Sequence, residues 1–242
     1  MSIYLSVIIP AYNEARRLSG SLEKIREFLD KQDFSYEVIV VENGSQDQTF
    51  EIAQDCSSRF QNFTVIHEDL AGKGNAVRVG MLAAKGEYRF MCDADLSMPI
   101  EEIVKFLPPS IEKPQIVIAS REIKGAIRHN EPEFRHISGR IFNVLIQLIV
   151  LRGIEDSQCG FKLFSAKTAE DLFSQQALDG WAFDVEILGI ANFRGYKIVE
   201  VPINWYYRQE SKVNPFRDSF KMTSDLFKVR RNLRRGVYAK KV

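Results

Sequence analysis

The sequence predicts an α/β protein built on a doubly wound, mostly parallel sheet, and three observations lead there. Short apolar runs alternate with amphipathic helical segments over the first half of the 242 residues. Several runs are apolar throughout instead of alternating, as strands covered on both faces require. Acidic and amide-bearing turns fall where those runs end, and in an open α/β sheet the carboxyl edge of the strands is where ligands bind.

Each element has its own justification. Leu5-Ser6-Val7-Ile8-Ile9 is a buried strand stopped by Pro10. Leu18, Leu22, Ile25 and Leu29 recur at helical spacing and predict a helix over 14–30. A strand over 36–41 ends in the turn Glu42-Asn43-Gly44-Ser45, and Asp47 is placed to cap a helix over 49–60. A strand over 63–67, a helix over 71–84 introduced by Gly72-Lys73-Gly74, and a strand from Tyr88 continue the alternation, with a further strand over 116–119. Residues 122–136 are polar, charged and weakly periodic, long for a structureless loop, and so mark both a boundary and a functional segment. Beyond them the sequence predicts helices over 137–151, 168–175 and 183–193, a strand over 198–205 and a basic amphipathic helix over 216–235. The 137–151 helix is apolar nearly all round, which leaves two readings open: a buried core helix or one lying on a membrane.

Composition bounds the function. The net charge is +1, but eleven Lys/Arg against three Asp/Glu from Arg208 onward give the tail +8 and the remainder −7. Such a tail points to an anionic surface or a phosphorylated ligand, with a solvated helix face as the plainer alternative. Cys56, Cys92 and Cys159 have no metal spacing and an odd count, as expected of a reducing compartment. The start lacks the regions of a signal peptide, and the run 141–151, broken by Asn143 and Gln147, is too short to span a bilayer. No nucleic-acid-binding motif accompanies the basic residues.

The chemistry concentrates at strand ends. Asp93-Ala94-Asp95 follows the strand Tyr88-Arg89-Phe90-Met91-Cys92 and brings two carboxylates to one point of the sheet edge. Oxygens so placed suit a hard divalent cation that shares its shell with water and substrate phosphates; otherwise they cap a helix starting near Pro99. Residues 10–14 and 42–47 end neighbouring strands. There Tyr12 offers a ring to a base, Asn43 an amide to a base edge, and Glu42 and Asp47 acceptors to ribose hydroxyls or to the next helix. Gly72-Lys73-Gly74 is no P-loop, yet a lysine before a helix suits a phosphate. Arg121, after the 116–119 strand, is placed to reach the same crevice, with an ordinary surface arginine as the plainer alternative.

In order and spacing, Ser6-Val7-Ile8-Ile9-Pro10-Ala11-Tyr12-Asn13-Glu14, Glu42-Asn43-Gly44-Ser45-Gln46-Asp47, Gly72-Lys73-Gly74, Asp93-Ala94-Asp95 and Ser120-Arg121 resemble the motif series of family 2 glycosyltransferases with the GT-A fold. Downstream, Asp156-Ser157-Gln158-Cys159-Gly160-Phe161-Lys162, Trp181-Ala182-Phe183-Asp184-Val185-Glu186 and Ser211-Lys212 resemble its dolichyl-phosphate β-glucosyltransferase branch. The resemblance implies a Rossmann-like GT-A domain, a nucleotide-sugar-binding half over 1–122 and an acceptor-binding half over 123–242. It implies Pro10, Ala11, Tyr12, Glu14, Glu42, Asn43, Lys73, Ala94 and Arg121 on the donor, and Asp93, Asp95 and Ser97 toward Mg²⁺ or Mn²⁺. Arg135, Arg140, Ser211 and Lys212 would meet acceptor or phosphate, and Asp184 is the base should the acceptor be a hydroxyl. The implied reaction is inverting transfer of a hexose to a polyprenyl or dolichyl phosphate, at the cytoplasmic membrane face and by a peripheral protein. UDP-glucose is the first donor and GDP-mannose the alternative; a sugar hydroxyl or glycolipid is the alternative acceptor. Glu42-Asn43 stands where the family usually has Asp-Asp, so recognition of base and ribose departs from the pattern at that point.

Overall fold

The computed structural model describes residues 2–208 and 215–239, with 215–219 by backbone alone. In chain order the elements are β1 (Leu5–Ala11), α1 (Leu18–Leu29), β2 (Tyr36–Glu42), α2 (Thr49–Arg59), β3 (Phe63–His67), α3 (Lys73–Ala83) and β4 (Tyr88–Met91). A short 3-10 helix at Ile100–Lys105 precedes β5 (Ile116–Ser120), β6 (Ile127–His129), α4 (Glu133–Ile149) and β7 (Lys162–Ser165). Then come α5 (Ala166–Phe173), α6 (Phe183–Phe193), β8 (Ile198–Pro202), β9 (Asn204–Tyr206) and α7 (Pro215–Arg234).

Among the described residues seven strands form one sheet in the order β3-β2-β1-β4-β7-β5-β8, and β6 pairs with β9 in a separate ribbon. The main sheet is parallel except at β7, which runs antiparallel to both β4 and β5. Both faces are covered. Leu5, Val7 and Ile9 pack with α1, α2 and the 3-10 helix, while Ile8 and Ile39 pack with the helices after β3. The chain winds from β1 outward to β3 and then returns to β4 on the other side of β1. The switch point therefore lies between β1 and β4, and open α/β sheets bind ligands at the carboxyl ends of the strands beside such a point.

The structure corrects several expectations. Pro10 does not stop β1, which continues to Ala11. The ladder to β4 ends at Ile8, and beyond it β1 pairs with β2 alone, so a residue without an N–H is tolerated there. The segment 122–136 holds β6, and Arg128 braces it through ion pairs to Glu122 and Glu131. The single strand expected over 198–205 is two. β8 follows β5 as far as Pro202, and the chain then crosses at Ile203 to pair with β6. β7 was not foreseen: it is four residues long and carries a lysine. Asp93 and Asp95 cap no helix; Asp95 Oδ1 accepts from Ser97 N at 2.9 Å within its own turn.

The all-buried reading of the 137–151 helix is also overturned. In α4 only Ile146 is fully buried. Phe142, Leu145 and Ile149 pack against the core, whereas Phe134, Ile137, Ile141, Val144 and Leu148 form an exposed stripe at helical spacing.

Candidate active site

Short turns fix the geometry of the crevice. Lys73 is the first residue of α3, and the glycines on either side let the backbone touch the loop before α6. A Cβ at Gly72 would lie 2.2 Å from Asp179 O, and one at Gly74 would lie 2.7 Å from both Leu178 O and Phe183 Cβ. The start of α3 is thereby pressed against the start of α6, and Lys73 shares one space with Asp184. Lys73 Nζ is 2.6 Å from Asp93 Oδ1 and 5.7 Å from the centre of the Trp181 ring. Asp93 is packed from the other side by the turn before β7: a Cβ on Gly160 would lie 1.9 Å from its Oδ2. Leu96, left-handed at φ 45°, tightens the turn that follows.

A buried chain of charges continues inward. Lys162 Nζ lies 2.6 Å from Asp184 Oδ1 and donates to Cys159 O. Lys162 opens β7, which pairs with β4, the strand that leads into Asp93 and Asp95; the sequence marks it only as a lysine directly before the apolar Leu163-Phe164. Burial pulls the Lys73 ammonium down, but Asp93, Asp184 and Asp95 outweigh it and hold the group above its ordinary value. Burial pushes the Asp184 carboxyl up against the opposing pull of Lys162 and Lys73. Three carboxylates face two ammonium groups here, a balance that accepts one further cation. Among the described residues no three His, Cys, Asp or Glu side chains form a metal cage. Two carboxylates one residue apart are the oxygen donors that suit a hard divalent ion such as Mg²⁺ or Mn²⁺, which would complete its shell with water and phosphate oxygens. Ser97 serves this turn through its backbone, donating to Asp95 and accepting from Tyr206 N at 2.7 Å.

The turns after β1 and β2 are stapled together. Asn13 N donates to Ser45 Oγ, Gln46 N to Asn13 Oδ1, Ala15 N to Asp47 Oδ2 and Glu14 N to Thr49 Oγ1. Asp47 Oδ1 also accepts from the N–H of Thr49, the first residue of α2. The N-cap position is Gln48, which makes no side-chain cap hydrogen bond, so Asp47 braces the turn one residue ahead of the cap expected of it. Tyr12 is 40% exposed and free to offer its ring, with Pro10 half-buried beside it. Ala11, Glu14, Glu42, Asn43 and Ala94 are buried. The Glu14 carboxylate is taken up by Arg17.

Arg121 stands two strands away from Asp93. Its guanidinium makes a two-pronged pair with Asp156, Nε to Oδ2 at 2.7 Å and Nη2 to Oδ1 at 2.9 Å, and lies over the Trp205 ring. Burial opposes ionisation of Asp156, but Arg121 outweighs it and holds the carboxyl below its ordinary value. Arg121→Ala is expected to cost about 3–5 kcal/mol, the penalty for stranding one member of a buried pair; urea denaturation measures it. Because the folded-state pKa of Asp156 is depressed, this stabilisation is present above its unfolded value and is lost as pH falls through the folded one.

Arg135 and Arg140 lie on α4. Arg135 is over the Tyr207 ring, and Arg140 pairs with Glu122 and Glu155. Ser211 and Lys212 lie outside the described residues. Asp93, Asp95, Lys73 and Asp184 therefore come together, the turns at 10–14 and 42–47 adjoin one another, and Arg135 and Arg140 stand apart on α4.

Comparison with known proteins bears on this arrangement. The sequence model of the family described as glycosyl transferase family 2 matches residues 6–173. The dolichyl-phosphate beta-glucosyltransferase of Dictyostelium discoideum is 35% identical, with 98% of this chain and 77% of the relative aligned. Its namesake from Drosophila melanogaster is 38% identical over 94% of this chain and 74% of its own length. The human one is 35% identical over 93% and 74%. Among solved structures, glucosyl-3-phosphoglycerate synthase from Mycobacterium tuberculosis with Mn²⁺, UDP-glucose and phosphoglyceric acid superposes with a TM-score of 0.65 at 18% identity, covering 96% of this chain and 79% of that one. Mannosyl-3-phosphoglycerate synthase from Rubrobacter xylanophilus gives 0.70 at 18% identity, covering 99% and 77%.

Proposed function

This chain belongs to glycosyl transferase family 2 and has the GT-A fold, and from that premise we propose that it transfers glucose from UDP-glucose to a dolichyl-type polyprenyl phosphate with inversion at the anomeric carbon. The observation that carries this reading is the cluster of Asp93, Asp95 and Lys73 at the switch point of the sheet. Names of relatives supply the donor sugar and the acceptor. We assign donor binding to residues 1–122 and acceptor binding to 123–242, two halves of one continuous domain.

The charges that develop are a cationic sugar ring and an anionic leaving diphosphate. Asp93 and Asp95 would hold Mg²⁺ or Mn²⁺, which supplies Lewis-acid stabilisation of that diphosphate. Lys73 adds a fixed positive charge on the same side. Tyr12, Pro10, Ala11, Glu14, Asn43 and Ala94 line or support the nucleoside side, and Arg121, held by Asp156 at the end of β5 on the other side of β4, is assigned to the donor diphosphate. A phosphate monoester has its second pKa at about 6, so the attacking oxygen is already ionised at neutral pH and needs no strong base. Asp184, tied to Lys162 and next to Lys73, then keeps the two ammonium groups in place. Arg135, Arg140, Ser211 and Lys212 are assigned to the acceptor phosphate. Nucleotide release measured in parallel from UDP-glucose and GDP-mannose, with a prenyl phosphate or a sugar hydroxyl compound as acceptor, tests the assignment. Release from UDP-glucose with the phosphate acceptor supports it; release only from GDP-mannose, or only with the hydroxyl compound, overturns it.

A lipid acceptor requires the protein to meet a membrane, and we place it peripherally on the cytoplasmic face. No described helix is long and apolar enough to cross a bilayer. The stripe Phe134, Ile137, Ile141, Val144 and Leu148 of α4 supports a peripheral mode, as does the exposed pair Phe220 and Phe227 on the basic α7. A helix with such a stripe lies in the interface, and each basic residue near an anionic leaflet adds about 1 kcal/mol. Ile137→Asp/Ile141→Asp, at positions 59% and 67% exposed, is expected to lower binding to anionic vesicles at least about tenfold with little change in melting temperature; cosedimentation reads it.

A further inference from the structure

We propose that His67 is a positioning residue for the donor nucleotide, holding the Glu42 carboxylate and with it the turn that borders the nucleoside. The inference rests on the crevice being the donor site. Glu42 ends β2 and is 1% exposed, so its charge has no solvent to face. Its Oε1 accepts from Ser45 N, and its Oε2 lies 2.6 Å from His67 Nδ1. Both oxygens are thus engaged within the protein. The same Ser45 accepts from Asn13 N through its hydroxyl, so the Glu42 contact extends into the turn that carries Tyr12. His67 ends the neighbouring strand β3, one residue before Glu68, whose N–H donates to Glu42 O.

The ring nitrogens make this contact sensitive to protonation. Nε2 of His67 lies 3.2 Å from Asp69 Oδ1, so each nitrogen faces a carboxylate, an acceptor when ionised. Only the doubly protonated imidazolium satisfies both. Glu42 from β2 and Asp69 from the following loop are the ionised groups that face the ring; the Phe50 ring of α2 packs beside it at 5.0 Å. The hydrogen bond to Glu42, reinforced by its charge and by Asp69, holds His67 above its ordinary value. The contact is therefore at full strength below the ordinary histidine pKa and weakens as pH rises through the elevated one. An imidazolium also neutralises a buried carboxylate that would otherwise repel an incoming nucleotide diphosphate.

The test uses the full chain and UDP-glucose, whose diphosphate takes up no proton between pH 6 and 8. Calorimetric titration is carried out across that range, with Mn²⁺ present, for the natural protein, His67→Gln and His67→Phe. The natural protein is expected to bind more weakly as pH rises. His67→Gln keeps a donor but cannot titrate, so its affinity becomes independent of pH. His67→Phe binds about tenfold more weakly throughout, the effect of one lost charge-assisted hydrogen bond. A purely structural role would lower the melting temperature of the variants and leave the pH profile of binding as it is in the natural protein, and that result overturns the inference. Equal affinity and an equal pH profile in all three proteins overturn it as well. If the natural protein does not bind UDP-glucose at any pH, the donor-site reading falls, and this inference with it.

Discussion

Asp95→Asn lowers kcat by about a thousandfold and leaves the fold intact. The amide retains a carbonyl oxygen where Asp95 Oδ1 accepts from Ser97 N, so the turn that shapes the site persists. What disappears is a negative charge. With Asp93 already paired to Lys73, Asp95 is the carboxylate whose charge is least compensated by the protein, and so the one a divalent ion depends on most. Without it the leaving diphosphate departs with less of its charge neutralised. Loss of one group aimed at developing charge costs about 10²–10³ in kcat, and loss of a metal ligand sits at the upper end. Steady-state kinetics measure the fall, and titration with Mn²⁺ followed by electron paramagnetic resonance separates weakened metal binding from a damaged fold. An unchanged kcat would remove Asp95 from the metal assignment.

Gly160→Ala is expected to lower kcat about a hundredfold or more although it adds a single methyl group. The new Cβ would stand 1.9 Å from Asp93 Oδ2 and 2.4 Å from its Cγ, so the carboxylate must move. Asp93 has Lys73 on its other oxygen, and any displacement shifts both groups that face the diphosphate. A misplacement of about 1 Å in a preorganised site costs on the order of 10²-fold. The same substitution separates this site from the rest of the fold: Gly160 lies before β7 and makes no contribution to the core as a side chain. Kinetics together with near-ultraviolet dichroism check the outcome, and normal turnover would mean that Asp93 does not need its present position.

The first half of the chain was legible because its signals are local. A strand such as Leu5-Ser6-Val7-Ile8-Ile9 announces itself by composition, and Asp93-Ala94-Asp95 follows such a strand directly, so its place at the sheet edge needs no tertiary knowledge. What escaped depends on distant partners. β7 is four residues long, follows Gly160-Phe161 and runs straight into α5 at Ala166, and becomes a strand only because β4 and β5 both pair with it. Lys162 looks like a surface residue in sequence, yet the charge of Asp184 draws it into the interior. The engagement of Arg121 by Asp156 spans 35 positions. Glu42 reads as a ribose acceptor from its turn, and only the neighbouring strand shows that His67 occupies one of its oxygens. In α4, composition suggested an apolar helix, but the exposed stripe starts at Phe134, ahead of the segment the composition marked, and which face the core covers depends on α7 and the sheet.

In the proposed function the edge between β1 and β4 holds a nucleotide sugar through Asp93, Asp95 and a divalent ion for transfer to a lipid phosphate. The most direct measurement is mass spectrometry of the lipid fraction after incubating the purified chain with UDP-glucose, a polyprenyl phosphate and Mn²⁺, with and without EDTA. The expected result is a polyprenyl phosphate heavier by one hexose, formed with the metal and abolished by the chelator. A hexosylated lipid that forms equally well in EDTA, or UDP released with the lipid phosphate unchanged, would contradict it.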